Sequence, residues 1–193
     1  MMLSVLFGYL AGSVPFAYLL ARRAGIDVRV AGSGNVGAAN VLRTTGAWRG
    51  VAVMALDVAK GAAAVLVAYL VAGGASLAAV TGAAAIVGHI YPVWLRFHGG
   101  KGVAVAAGVF CVLSPMATAV AATLFLVTVW LTRYISLGSI AATIALPPAA
   151  WLTGAPRGVV VAAAGSGLLI LFRHRGNLHR LRAGTERKVG ART

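Results

Sequence analysis

Two glycine-rich segments hold the residues best suited to binding an anion. The first reads Gly32-Ser33-Gly34-Asn35-Val36-Gly37-Ala38-Ala39-Asn40, with Arg43 one turn further on; the second reads Gly99-Gly100-Lys101-Gly102. Glycines let successive backbone N–H groups converge on an anion, and Ser33, Asn35 and Asn40 add hydrogen bonds. Lys101 supplies a cation where the backbone is open to a ligand, and Arg43 supplies another. Together they suit a cavity for more than one anionic group, phosphate above all. Taken alone, either segment also fits a small-residue loop that lets helices pack closely.

Several familiar chemistries are excluded. The first segment contains G-x-G-x-x-G, and Asp57 follows Gly37 at about the 20 residues a dinucleotide fingerprint requires. That fingerprint needs a strand on either side, and Asp57 lies instead in an apolar stretch of membrane length with no second strand after it. The positions five after His89, His98, His174 and His179 are Trp94, Val103, His179 and Gly184, so no His–Asp acyltransferase dyad exists. There is no G-x-S-x-G elbow, and the only acids, Asp27, Asp57 and Glu186, leave little material for a triad or carboxylate pair. One cysteine, four histidines and three acids match no metal-ligand spacing, so neither metal nor cofactor is expected. An enzyme with this inventory needs a substrate that is already activated. An acyl phosphate qualifies, because phosphate is a competent leaving group and catalysis then rests on positioning and charge stabilisation.

The elements that must position these loops are membrane helices. The chain has 193 residues, 60% of them hydrophobic and only 10% charged, against about 25% charged in soluble domains. At roughly 20 residues per crossing, this length holds about six or seven spans and no large soluble domain. Residues 1 to 21 are uncharged and are followed by Arg22 and Arg23, the reverse of a cleavable signal's charge order, and so predict a permanent first span. The apolar run up to Leu95 predicts a hairpin that begins near Trp48 and turns at Gly73-Gly74-Ala75-Ser76. Residues 103 to 132 form an uncharged run of about 45 Å as a single helix, too long for one crossing of ~30 Å; Ser114-Pro115 is the expected break. Residues 135 to 153 and 159 to 172 complete seven spans, with the N-terminus outside and the C-terminus in the cytoplasm. Every basic residue except Lys60 and Arg157 then falls on the cytoplasmic side, as do both glycine loops. The expected fold is an all-α, polytopic transmembrane helical bundle forming a single domain over 1–193. Its tail, 173–193, is a basic cytoplasmic segment.

Other polar residues allow two readings each. Asp57 and Lys60 stand at i and i+3 within a span and either neutralise each other or serve the site. His89 either orients a polar group or bonds between helices. His174 and Asn177, just after the last span, matter if the tail folds back toward the cavity. Cys111 reads as a buried hydrophobe. The net charge of +14 suits anionic headgroups as well as anionic substrates. The tail has no aromatic residue for base stacking, so nucleic acid is not an expected partner.

These motifs together identify a family. The chain resembles the bacterial acyl-phosphate:glycerol-3-phosphate acyltransferases in the first loop with Arg43, in Asp57-Val58-Ala59-Lys60-Gly61, and in Gly88-His89-Ile90-Tyr91-Pro92. The resemblance continues through Phe97-His98-Gly99-Gly100-Lys101-Gly102-Val103-Ala104, the opening Gly12-Ser13-Val14-Pro15-Phe16, and the tail from Arg173 to Leu181 with Gly184-Thr185-Glu186. Ala39 and Val105 stand where the family usually has threonine. The resemblance implies a seven-span enzyme of the bacterial inner membrane, acting as a monomer. It would move a fatty acyl chain from acyl phosphate to the 1-hydroxyl of glycerol 3-phosphate, giving lysophosphatidic acid and inorganic phosphate. It implies Ser33, Arg43, Lys101 and Asn177 at the catalytic centre and His174 and Ser139 as further substrate contacts. Gly32, Gly34, Asn35, Gly37, Asn40, Lys60, His89, Gly99, Gly100 and Gly102 complete the candidate phosphate-binding set. Without the resemblance, a transporter of an organic phosphate ranks nearly equal, and a non-enzymatic protein that binds anionic lipid ranks third.

Overall fold

The computed structural model of the protein describes residues 1–72 and 74–190, so Gly73 of the expected hairpin turn and the last three residues of the tail lie outside the described residues. The described residues are helical with no strand, and they divide into two compact units, Met1–Leu113 and Ser114–Thr193.

In the first unit, helix α1 (Met2–Ser13) and helix α2 (Phe16–Arg22) are the two pieces of the expected first span. The break is at Val14-Pro15, because proline has no N–H to continue the helical ladder. A short helix α3 (Ala38–Thr45) follows the first glycine loop, where the sequence suggests only a loop. Then come α4 (Ala47–Ala72), α5 (Ala75–Ile90), a 3-10 turn at Val93–Leu95, and α6 (Val103–Leu113). Helix α1 packs on α5, and α4 packs on α3, α5 and α6.

Small residues bring these helices together. A β-carbon at Gly8, Gly12 or Gly88 would overlap the facing backbone carbonyl of Thr81, Ala85 or Tyr9. Gly61 and Gly108 meet the backbone carbonyls of Val105 and Val58 in the same way across α4 and α6. Lipid gives no hydrophobic drive for helices to associate, so backbone contact of this kind supplies the dispersion attraction that holds them.

In the second unit, α7 (Pro115–Thr132) packs on α8 (Ile135–Leu152), and α8 packs on α9 (Arg157–Arg173). Ser114 and Pro115 end α6 and start α7, with the proline in the first turn where its missing N–H costs nothing. The tail forms α10 (Arg175–Arg182), bent by 54° from α9.

Five stretches are long and apolar enough to cross a membrane: Met2–Arg22, Ala47–Val71, Ala75–Leu95, Pro115–Thr132 and Ile135–Leu152; α9 with α10 makes a sixth if taken as one bent span. Helix α6 is the short arm of residues 103 to 132. Its 11 residues reach only about 16 Å, and it is sheltered by protein, with Val105, Val109 and Phe110 buried. By contrast α7 is only 11% buried along its length, as expected of a helix that faces lipid. Trp48, Trp94, Trp130 and Trp151 are all exposed and lie close to the ends of their apolar segments, as membrane-interface anchors do. Cys111, expected to be buried, is exposed.

These contacts predict unequal glycine tolerance. Gly108→Leu should destabilise the protein by about 2 kcal/mol or prevent folding, because the side chain would enter the α4 backbone. Gly165→Ala, where nothing lies within 4 Å, should be neutral or slightly stabilising. Unfolding midpoints in mixed micelles compare the two.

Candidate active site

The first glycine loop is built around Asn40. This side chain is 1% exposed; its carboxamide N–H groups donate to the carbonyls of Val28 and Ala31 at 3.0 Å each, and its Oδ1 accepts the Ser33 N–H at 2.8 Å. Gly32 must be glycine at this point, since its φ is 61° and a β-carbon would overlap Asn40 Oδ1. Val28, Val36 and Val41 anchor the loop from below in a cluster with Ala17, Ala21, Val53 and Leu95. Above this base Gly32, Ser33 and Gly34 are exposed, while Asn35 and Arg43 are half-buried. Asn40, expected among phosphate contacts, thus directs these three bonds into the loop framework, and Gly37 is buried at the start of α3.

The approach to the loop is fixed by charge. Arg29 donates to Asp27 from its backbone N–H and its guanidinium, at 2.6–3.2 Å. That hydrogen bonding, with Arg22 nearby, lowers the Asp27 carboxyl to about 2 and raises Arg29 above its ordinary value. Both Arg29 and Arg22 stack over the Tyr18 ring, at 4.9 and 5.9 Å.

The lysine loop hangs from the end of α5. Gly99 N–H donates to Ile90 and Gly100 N–H to His89, both at 3.1 Å, and Gly102, at φ 90°, turns the chain into α6. Gly99 and Gly100 are buried and Lys101 is half-buried. A β-carbon on Gly100 would overlap His89 Nε2 and lie 2.8 Å from the Val36 carbonyl of the first loop. The two expected phosphate loops therefore meet at Gly100. Just before them, Arg96 and Phe97 sit at φ 50° and 63°, left-handed conformations that cost a side-chain-bearing residue on the order of 1 kcal/mol or more.

Beneath this junction lies the Asp57–Lys60–His89 cluster. Lys60 Nζ is 2.7 Å from Asp57 Oδ1, 2.8 Å from the Val14 carbonyl and 3.0 Å from His89 Nδ1, and all three side chains are buried.

The second unit organises the tail residues around Glu186. Its Oε1 accepts from Asn177 at 2.7 Å and from Ser136 at 2.8 Å, and its Oε2 accepts from Arg180 Nε at 2.7 Å. Burial pushes this carboxyl up, but the three donors outweigh it and leave it below its ordinary value. The Val189 N–H donates to the Arg133 carbonyl at 2.7 Å, which ties the tail to the α7–α8 turn. His174 is buried with Nδ1 2.8 Å from the Ile170 carbonyl, so Nδ1 bears the proton. Ser139, also buried, donates to the Ile135 carbonyl. Asn177, expected to matter only if the tail folds back, is thus fixed by Glu186, which the sequence marks only as one of three acids and as part of the Gly184-Thr185-Glu186 resemblance. Ser136 carried no signal at all.

Comparison with known proteins shows the family. The family model described as glycerol-3-phosphate acyltransferase matches residues 2–184. The chain belongs to that family. The glycerol-3-phosphate acyltransferase of Agrobacterium fabrum is 45% identical over 190 residues, 97% of this chain and 91% of its own. That of Roseobacter denitrificans is 46% identical over 184 residues, 95% and 91% of the two chains. Among solved structures, PlsY (YgiH), an integral membrane glycerol 3-phosphate acyltransferase, superposes in its glycerol 3-phosphate form with a TM-score of 0.94. That form is 41% identical and covers 98% of this chain and 95% of that one. Its lysophosphatidic acid form gives 0.91 at 40% identity, with the same coverage. The acyltransferase is accordingly an integral membrane protein with an all-helical fold.

Each of this acyltransferase's three carboxylates lies in an ion pair: Asp27 with Arg29, Asp57 with Lys60 and Glu186 with Arg180. The Glu186 latch has a definite pH signature. Because its carboxyl is lowered on folding, its contribution is complete above the ordinary glutamate value of 4.5 and is lost as pH falls through the lower folded value. Protection factors of the amides over residues 183–190, with the intrinsic pH dependence of exchange divided out, should therefore hold at pH 5 and fall below 4.5, whereas Glu186→Ala should lose about tenfold of that protection already at pH 7.

Proposed function

We propose that the acyltransferase moves a fatty acyl chain from acyl phosphate to the 1-hydroxyl of glycerol 3-phosphate, releasing lysophosphatidic acid and inorganic phosphate. The observation that carries this reading is the junction of the two glycine loops at Gly100, with Lys101 and the Ser33 segment rising from one rigid base. Family membership supports it, as do the two ligand forms named for PlsY.

On this reading Lys101 and Arg43 neutralise the phosphates of the two substrates. Ser33 and the amides of Gly32 and Asn35 hold the donor, while Gly34, whose N–H donates to the Ala31 carbonyl, shapes the loop with Gly37 and Asn40 beneath it. Asn177, with His174 and Ser139, serves the same reaction from the second unit, so that residues 1–193 act as one domain. Gly99, Gly100 and Gly102 shape the lysine loop. Lys60 and His89, buried under it, contribute from behind.

The hydroxyl of glycerol 3-phosphate attacks the acyl carbonyl carbon, a C–O bond forms, and the bond from that carbon to the phosphate oxygen breaks. Phosphate leaves with the electron pair. Asp27, Asp57 and Glu186 are each held in an ion pair, and on this reading a substrate phosphate oxygen takes the hydroxyl proton. The protein's share is orientation and charge stabilisation, which are worth several kilocalories when the donors are held rigidly.

The same reading places seven spans in a bacterial inner membrane, with the N-terminus outside and the loops and C-terminus facing the cytoplasm, and a monomer as the working form. The distribution of basic residues supports this orientation.

The direct test is purified protein in lipid with palmitoyl phosphate and radiolabelled glycerol 3-phosphate. Lysophosphatidic acid should form from palmitoyl phosphate and not from palmitoyl-CoA. Lys101→Ala should lower kcat/KM by about 100-fold or more, the range for losing a charged transition-state donor. A folded sample that makes no product from either donor would refute the proposal.

A further inference from the structure

The Asp57–Lys60–His89 cluster lies under the two loops rather than in them, and its hydrogen bonding determines more than charge neutrality. An ammonium has three N–H donors and no acceptor. Lys60 has three acceptors around it: Asp57 Oδ1 at 2.7 Å, the Val14 carbonyl at 2.8 Å and His89 Nδ1 at 3.0 Å. Each comes from a different place. Asp57 is one turn away on α4, Val14 is the break between α1 and α2 made by Pro15, and His89 is the last turn of α5. The Phe16 ring adds a fourth side, 5.5 Å from the ammonium.

Because Lys60 can only donate, His89 Nδ1 must accept, and the ring proton then sits on Nε2. Nε2 faces Gly100, so closely that no β-carbon fits between them, and the same glycine abuts the Val36 carbonyl. The His89 carbonyl also takes the Gly100 N–H. The ring therefore stands where the lysine loop and the serine loop touch, with its donor edge turned toward them. Slack is minimal: the cavity bounded by Ser13, Val14, His89, Gly99 and Gly100 measures about 10 Å³, the room of one water molecule.

We propose that Lys60 is a positioning residue for the acyl-transfer site. It sets the tautomer and angle of His89, and His89 in turn sets the separation of the Ser33 and Lys101 loops. Lys60 itself does not bind substrate phosphate. This inference rests on the reading of those loops as the substrate-phosphate sites. A displacement of about 1 Å between reacting groups can cost on the order of 100-fold in rate, so a fixed loop spacing has catalytic consequence.

The test uses the full chain in lipid with the exposed Cys111 changed to Ala and spin labels at Val30→Cys and Trp94→Cys, two exposed positions flanking the two loops. Asp57→Asn with Lys60→Met removes both charges together, so no ion is left unpaired. The expected result is a broadened or shifted distance distribution between the labels, together with a fall in kcat of about tenfold or more at a KM for glycerol 3-phosphate changed by less than about threefold. His89→Gln keeps an acceptor for Lys60 and a donor toward Gly100, and should hold kcat within about threefold of the native value. His89→Leu should lose as much as the double variant.

A double variant with native distances and native kcat overturns the proposal and leaves the pair as neutralised packing. A rise in KM alone overturns it in favour of direct substrate contact. If the double variant does not fold, the two His89 variants decide: equal kcat for Gln and Leu overturns it. Native protein that makes no lysophosphatidic acid refutes the reading of the loops, whereas the label distances report loop position independently of turnover.

Discussion

An ammonium and a carboxylate buried inside a membrane helix are costly unless each is held, and Asp57 and Lys60 hold each other one turn apart on α4. The remaining donors of Lys60 go to the carbonyl of Val14 and the ring of His89. The pair thus fastens a proline-broken first span, a central helix and the end of α5 at one point. Losing any one of these partners would leave a polar group without a partner in an apolar interior, which is why the surrounding backbone is so closely constrained. Glycines at the α1–α5 and α4–α6 contacts let the helices come near enough for a single side chain to reach all three.

What stands on this base is chemically spare. The first loop takes its shape from Asn40 and a cluster of valines and alanines, the second from two backbone hydrogen bonds to the end of α5. Neither loop needs a metal or a nucleophile to present amides and cations to a phosphate. Asp27, Asp57 and Glu186 are each in an ion pair, so negative charge in the chain helps to shape it. An excess of fourteen positive charges then remains for anionic ligands and headgroups. Chemistry of this kind succeeds when the donor arrives activated, and in that case rigidity matters more than reactivity.

Much of this was legible in the sequence, for identifiable reasons. The apolar runs and the side-bias of Arg and Lys located the helices, and Ser114-Pro115 marked the break between α6 and α7 to the residue, because proline fits a first helical turn and little else within a helix. Glycine spacing located both loops. The sequence did not reveal α3, whose Ala-Ala-Asn start looks like loop, or the division of the first span at Pro15. Asn40 looked like a ligand because its side chain suits one; only its three contacts show that it braces the loop. The Glu186 latch was equally invisible, since Ser136 lies 50 residues before it and no local pattern links the two. Short-range spacing exposes helices, turns and loops; long-range hydrogen bonds have no periodic signature.

The central claim is that acyl transfer runs directly between two bound substrates, with no protein group bonded to the acyl chain. Isotope exchange tests it most directly. The protein in lipid is incubated with palmitoyl phosphate and radiolabelled inorganic phosphate, with glycerol 3-phosphate withheld. Direct transfer predicts no label entering palmitoyl phosphate, because the carbonyl–phosphate bond breaks only when the acceptor hydroxyl is present. Rapid label exchange into palmitoyl phosphate, dependent on Ser33, would contradict the account and establish an acyl-enzyme in its place.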